Sequence, residues 1–405
     1  MDTTRQTNDQ DLVRTLVAQI FDRVMAVQHL QQPIDLTSSP FKEPALKKRK
    51  KGSKNKATHK SNNIYLEEYG CGVHVERIRG QDVVWELPRQ KPRGVIMFAH
   101  GCHHAAGDLW PPSPQCQTCL GLPEERRLRI AALHRRLALI GISSLDRVGK
   151  RCWAELRKDG GRNVANILRE WIERQGLRGV PLYTMGASSG GQLALTLPRH
   201  MRVAGVYAQV RGVENTVLQL PKGRMFPPTV FVHMPRDEDN AAIIRGNIET
   251  LKNTGTPVLE LKIHPRPVTV EFLTERSPLI DETMAEGIVN ALKKSGIVAE
   301  NGSLTEPPRP ATEKWAPLVQ PVIGDLSLTL DESHVGELVN LAWAKHELVS
   351  DEAEAIMTWL QHGGGRELDG IEDARRKAEQ EGEVVWNNKK VKDSSGSYTS
   401  CQKYK

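Results

Sequence analysis

The residues best placed to do chemistry lie in Pro181-Leu182-Tyr183-Thr184-Met185-Gly186-Ala187-Ser188-Ser189-Gly190-Gly191. The apolar run before Gly186 reads as a short buried strand, and Gln192 to Leu197 reads as the start of a helix. Ser188 therefore stands between two glycines at a strand-to-helix turn. A serine on so sharp a turn is held in a strained backbone conformation with its hydroxyl presented outward, the arrangement of a nucleophile elbow. Gly186 and Gly190 are the positions where side chains would collide with the neighbouring strand and helix. The helix that follows aims its first amides at the site, where they favour developing negative charge. The plainer reading is a glycine-rich loop closing a strand; the strand before and the helix after favour a nucleophile.

A second segment supports that reading. Gly94-Val95-Ile96-Met97-Phe98-Ala99 has the continuous apolar character of a fully buried strand and runs into His100-Gly101-Cys102-His103-His104. With a His-Gly strand end upstream of a Gly-x-Ser-x-Gly turn, the chain resembles the α/β-hydrolase superfamily over residues 64–362. The resemblance implies an α/β fold with a doubly wound, mostly parallel sheet. It also implies a serine hydrolase that cleaves a carboxylic ester or thioester through an acyl-enzyme. Ser188 is then the nucleophile, and the backbone N–H groups of Cys102 and Ser189 form the oxyanion hole. The His100 side chain is expected to hold the loop.

The same resemblance directs the search for the other catalytic groups. After the strand ending at His233, the superfamily often carries an acid four positions on, which is Asp237 here; Met234 stands where glycine is common. Asp239 is the alternative, and it also suits the cap of the helix that follows. For the histidine, His334 lies just before the final helical pair and is the favoured candidate. His264, His346 and His103 remain alternatives, His346 being expected inside a helix. The rival from another class is a non-catalytic hydrolase-fold protein that binds or interacts.

Cys116 and Cys119 form a Cys-x-x-Cys, with Cys102 upstream in the same region. These three sulfurs suit a metal such as zinc or a redox pair, but a zinc site usually brings a second close ligand pair, so no cofactor is expected.

Around these residues the chain divides into an amphipathic helix over 1–30, a basic linker over 31–62, a hydrolase core over 63–264, an inserted cap-like segment over 265–330, C-terminal core helices over 331–362, and a polar disordered tail over 363–405. Core helices are expected over 123–140 and 161–175, with a strand at 142–145 between them. The net charge is +7, but residues 47–60 hold Lys47, Lys48, Arg49, Lys50, Lys51, Lys54, Lys56 and Lys60 and no acid; taking those eight away leaves the remainder at −1. The basic character is thus local, a solubilising linker or a contact for an import receptor or another anionic partner. No run of apolar residues is long enough to predict a membrane span. The six cysteines, with no apolar leader, are expected to be reduced thiols in a cytoplasmic or nuclear setting.

Overall fold

The computed structural model describes residues 69–381, apart from 155 and 366. The amphipathic helix of 1–30, the linker of 31–62 with its lysine run, and the tail beyond 381 lie outside the described residues.

Eight strands form one sheet: β1 (His74–Ile78), β2 (Gln81–Glu86), β3 (Gly94–Ala99), β4 (Leu137–Ile142), β5 (Leu182–Ala187), β6 (Gly205–Gln209), β7 (Thr229–His233) and β8 (Val258–Lys262). Their spatial order is β1-β2-β4-β3-β5-β6-β7-β8. β2 runs antiparallel to both β1 and β4, and every later pairing is parallel. Crossover helices cover both faces, which is why β3, β4, β5, β6 and β7 are buried along their whole length. Alternate residues of β3 feed two cores. Ile96 and Phe98 join one cluster with Leu139, Met185, Tyr207 and Val232. Val95, Met97 and Ala99 join the other with Ile140, Val206 and Phe231.

The helices longer than one turn are α1 (Pro123–His134), α2 (Arg162–Arg174), α3 (Ser189–Thr196), α4 (Glu238–Asn253), α5 (Val270–Arg276), α6 (Glu282–Lys294), α7 (Thr312–Ile323), α8 (His334–Trp343), α9 (Ala353–Gln361) and α10 (Ile371–Gln380). α2 shows the rule that makes them: Val164, Ala165, Ile167, Leu168 and Trp171 fall on one face and are buried. Two boundaries differ from expectation. The apolar run Leu137–Ile142 is not the end of a long helix but β4, because Arg136 turns the chain at φ 59°. Residues after 363 are not all polar tail. α10 packs on α9 through Ala374 and Ala378, one small-residue stripe on an otherwise charged helix.

Between β8 and α8, residues 265–330 form three helices, α5 to α7. α6 packs on both α5 and α7, and α8 packs on α5 and α1.

Candidate active site

The turn between β5 and α3 has the geometry the glycines require. Ser188 has φ 53° and ψ −122°, a conformation that costs a non-glycine residue backbone strain. A Cβ at Gly190 would sit 2.0 Å from the Ala99 carbonyl oxygen, and one at Gly186 would sit 2.4 Å from that of Gly190. Only hydrogen fits at either place. The Ser188 amide donates to Gln209 O on β6 at 3.0 Å, which locks the turn.

His346 completes the constellation. Its Nε2 lies 2.9 Å from Ser188 Oγ, and its Nδ1 is hydrogen-bonded to Asp237 Oδ2. Asn240 Nδ2 donates to the same Asp237 oxygen at 2.9 Å and steadies the carboxylate. Asp237 follows β7 through a turn in which its amide donates to Met234 O at 3.0 Å. Met234 serves here in place of glycine: its sulfur accepts the Glu347 amide at 3.4 Å and ties the histidine loop to the acid loop. That loop is also pinned by Val349 N to Gln209 Oε1 at 3.0 Å and by Ser350 N to Glu124 Oε2 at 2.6 Å.

His334, the histidine expected from its place in the sequence, is not at the site. It opens α8, is 8% exposed, and bonds through Nδ1 to Ser277 Oγ at 2.8 Å. Burial lowers its pKa to about 4, so it is a neutral packing residue. His346 was expected inside a helix, but α8 stops at Trp343, and Ala344 takes the left-handed conformation at φ 52°. Arg236 lies over the Trp343 ring at 3.7 Å and donates to the Trp343 carbonyl at 2.8 Å, which holds this helix end. α8 packs with the inserted helix α5, whereas α9 packs on β6 and α1. His346 is therefore the histidine that precedes the last core helix next to the sheet. His264 is exposed after β8, and Asp239 is exposed in the first turn of α4. His103 lines the pocket and has φ 69°.

The loop after β3 adjoins the serine: a Cβ at Gly101 would lie 3.7 Å from that of Ser188. His100 anchors this loop as a neutral ring. Its Nε2 accepts the Ser144 amide at 3.0 Å, its Nδ1 bonds Gly101 O at 2.6 Å, and burial lowers its pKa to about 3. Ser189 is the first residue of α3, so its amide has no partner within the helix.

The cysteines depart from expectation. Cys102 is bonded to Cys152, and Cys116 to Cys119. They are not reduced thiols, and bonded sulfurs are not the thiolates that a metal needs. Cys102 and Cys152 lie 50 residues apart in sequence; they meet because the loops after the adjacent parallel strands β3 and β4 leave the sheet side by side. The Ser189 hydroxyl donates to the Cys102 sulfur at 3.4 Å. The expected cytosol-like compartment rests on reduced thiols, and these pairs remove that support.

Ser188 and His346 open into a cavity of about 450 Å³. Phe98, Val210, Trp343 and Leu348 give it apolar walls, and Pro307 to Pro310 of the inserted segment form another side. Much of its remaining lining is ionic. Arg309 pairs with Asp331, with Glu347 at 3.3 Å and with Glu337 at 3.7 Å. His104 is bonded to Asp108 at 3.1 Å. Burial alone would lower His104, but that bond and the charges of Asp108, Glu125 and Glu337 outweigh it and hold its pKa at about 10. Burial pushes Glu125 up to about 8, against His104 and helped by Asp108 and Glu337. Burial likewise raises Glu337 and Glu347.

No protein-family profile and no curated protein sequence matches this chain. Solved structures do. A thermostable esterase is 14% identical over 50% of this chain and 56% of its own, with a TM-score of 0.35. An esterase from Pyrobaculum calidifontis is 12% identical over 49% of this chain and 78% of its own, with a TM-score of 0.33. An esterase from Pseudomonas putida is 14% identical over 49% of this chain and 74% of its own, with a TM-score of 0.33. The alignment thus spans less than two thirds of the first esterase's length, and likeness of this degree says nothing about substrate. The strand order, with β2 antiparallel and the rest of the sheet parallel from β4 onward, and the serine turn between β5 and α3 are features of this chain itself; its fold is that of the α/β-hydrolase superfamily.

Proposed function

We propose that this chain is a serine hydrolase that cleaves a carboxylic ester or thioester through an acyl-enzyme. The observation that carries the reading is the hydrogen-bonded line from Ser188 Oγ through His346 to Asp237, set on a strained elbow. As Ser188 Oγ bonds to the substrate carbonyl carbon, its proton passes to His346 Nε2. Asp237 keeps Nδ1 protonated and stabilises the imidazolium. The Cys102 and Ser189 amides stabilise the tetrahedral oxyanion. The bond to the leaving oxygen or sulfur breaks, and that atom takes the proton from Nε2. Water then adds to the acyl-enzyme, again giving a proton to His346; Ser188 leaves with that proton and the carboxylic acid is released. Residues 265–330 act as a cap whose Pro307–Pro310 turn limits the size of the group admitted.

Rapid mixing with 4-nitrophenyl acetate tests the reading. A burst of one 4-nitrophenol per chain, followed by slower turnover, is expected from acylation of one serine. Folded protein with neither burst nor turnover on ester or thioester substrates would favour a binding protein built on a hydrolase fold.

A further inference from the structure

The ionic end of the pocket is not needed for attack on a carbonyl, and it holds more acidic than basic side chains. Asp108, Glu125, Asp331, Glu337 and Glu347 face two cationic side chains, Arg309 and His104. Arg309 is engaged by three of these acids. His104 is engaged by Asp108. Lys345 also lines the cavity but is exposed to solvent. Glu125 stands apart. It is 6% exposed, lines the cavity, and its carboxyl makes no ion pair or hydrogen bond with another side chain among the described residues. Nearby, Glu337 Oε1 is buried and lacks a hydrogen bond, its contact with Arg309 being an ion pair at 3.7 Å. A buried carboxyl with no side-chain partner, as at Glu125, is unfavourable unless a ligand supplies what is missing.

The missing group is a cation with hydrogen-bond donors. A metal ion does not fit, because among the described residues no three acidic, histidine or cysteine side chains converge to hold one. An organic ammonium does fit: it needs fewer converging oxygens, and the hydrocarbon that carries it suits the walls of Phe98, Val210, Trp343 and Leu348. We propose that the pocket takes an ester or thioester bearing a protonated amine, with the amine bound by Glu125 and Glu337. This rests on the serine-hydrolase reading. The tendency of Glu125 to keep its proton in the empty pocket agrees with it, because an incoming ammonium ion favours the carboxylate.

Two esters of equal length separate amine recognition from size: 4-nitrophenyl 4-(aminomethyl)benzoate and 4-nitrophenyl 4-ethylbenzoate. The full chain should favour the amine by at least about tenfold in kcat/KM, and the ratio should fall towards one in Glu125→Gln. Calorimetric titration of Ser188→Ala protein with benzylamine adds a readout that needs no catalysis, with binding expected and weakened by the added Glu125→Gln change. Fluorophosphonate labelling of the parent protein and of Glu125→Gln keeps the two ideas apart. Labelled protein with equal rates on both esters and no benzylamine binding overturns the amine site and leaves the hydrolase reading standing. Unlabelled, inactive protein that still binds benzylamine through Glu125 overturns hydrolysis and retains the amine site.

Discussion

The choice between two histidines yields the sharpest test of the geometry. In His346→Ala the base 2.9 Å from Ser188 Oγ is lost, together with the group that Asp237 orients. Loss of a triad histidine lowers kcat by about 10⁴- to 10⁶-fold, or roughly 5 to 8 kcal/mol at about 1.36 kcal/mol per tenfold. Stability should change little, because the ring opens on the pocket. His334→Ala should do the reverse. It empties a buried site and takes the hydrogen-bond partner from Ser277 Oγ, a loss of about 2–3 kcal/mol in stability. Its kcat per folded molecule should match the parent, since His334 does not line the cavity. Steady-state hydrolysis of 4-nitrophenyl acetate, with urea unfolding of each variant, reads both quantities. A folded His346→Ala protein with parental kcat would show that His346 is not the base. A folded His334→Ala protein with no activity would show that His334 is needed for catalysis.

Three further outcomes follow from the same contacts. Gly190→Ala forces a Cβ to 2.0 Å from Ala99 O; it should cost more than about 4 kcal/mol and abolish activity, and a well-folded, active variant by circular dichroism and hydrolysis would contradict the elbow geometry. Cys152→Ser removes one of the ties on the loop that carries the Cys102 amide, another being His103 N to Lys150 O at 2.7 Å, so kcat should fall about tenfold with KM little changed, a fraction of what losing an oxyanion donor costs; an unchanged kcat would show that the disulfide does not position that amide. Stability should fall as pH rises above about 6.5, because Glu125, Glu347 and His104, all raised in the folded state, lose their contribution as pH rises through about 8, about 8 and about 10. His100 and His334, both lowered, lose theirs as pH falls from about 6.5 towards about 3 and about 4, against the gain that the raised carboxyls make there. Urea midpoints from pH 5 to 9 check the curve, and Glu125→Gln should flatten its alkaline side.

What the sequence made legible follows from how locally each feature is encoded. β3 and β5 to β7 are covered on both faces, so they read as unbroken apolar runs, and the glycines around Ser188 mark a turn where only hydrogen fits. Asp237 was within reach because it lies four residues past a strand end, a short-range spacing. His346 was not. Its helix ends at Ala344, an alanine in the left-handed conformation rather than a glycine, held by Arg236 from a distant loop, so no local stop signal precedes it. The one available signal was topological: α9, not α8, packs on β6, so the histidine before α9 is the one brought to the sheet's end. The Cys102–Cys152 pair was hidden for a similar reason, since it depends on β3 and β4 being neighbours. α10 was missed because its buried stripe is two alanines within a charged sequence.

An activated nucleophile at Ser188 can be tested without knowledge of the substrate, by intact-protein mass spectrometry after treatment with a fluorophosphonate. One adduct per chain is expected, mapped to Ser188, absent from Ser188→Ala and retained in Ser189→Ala. An adduct that persists in Ser188→Ala, or folded parent protein that takes none, would contradict it.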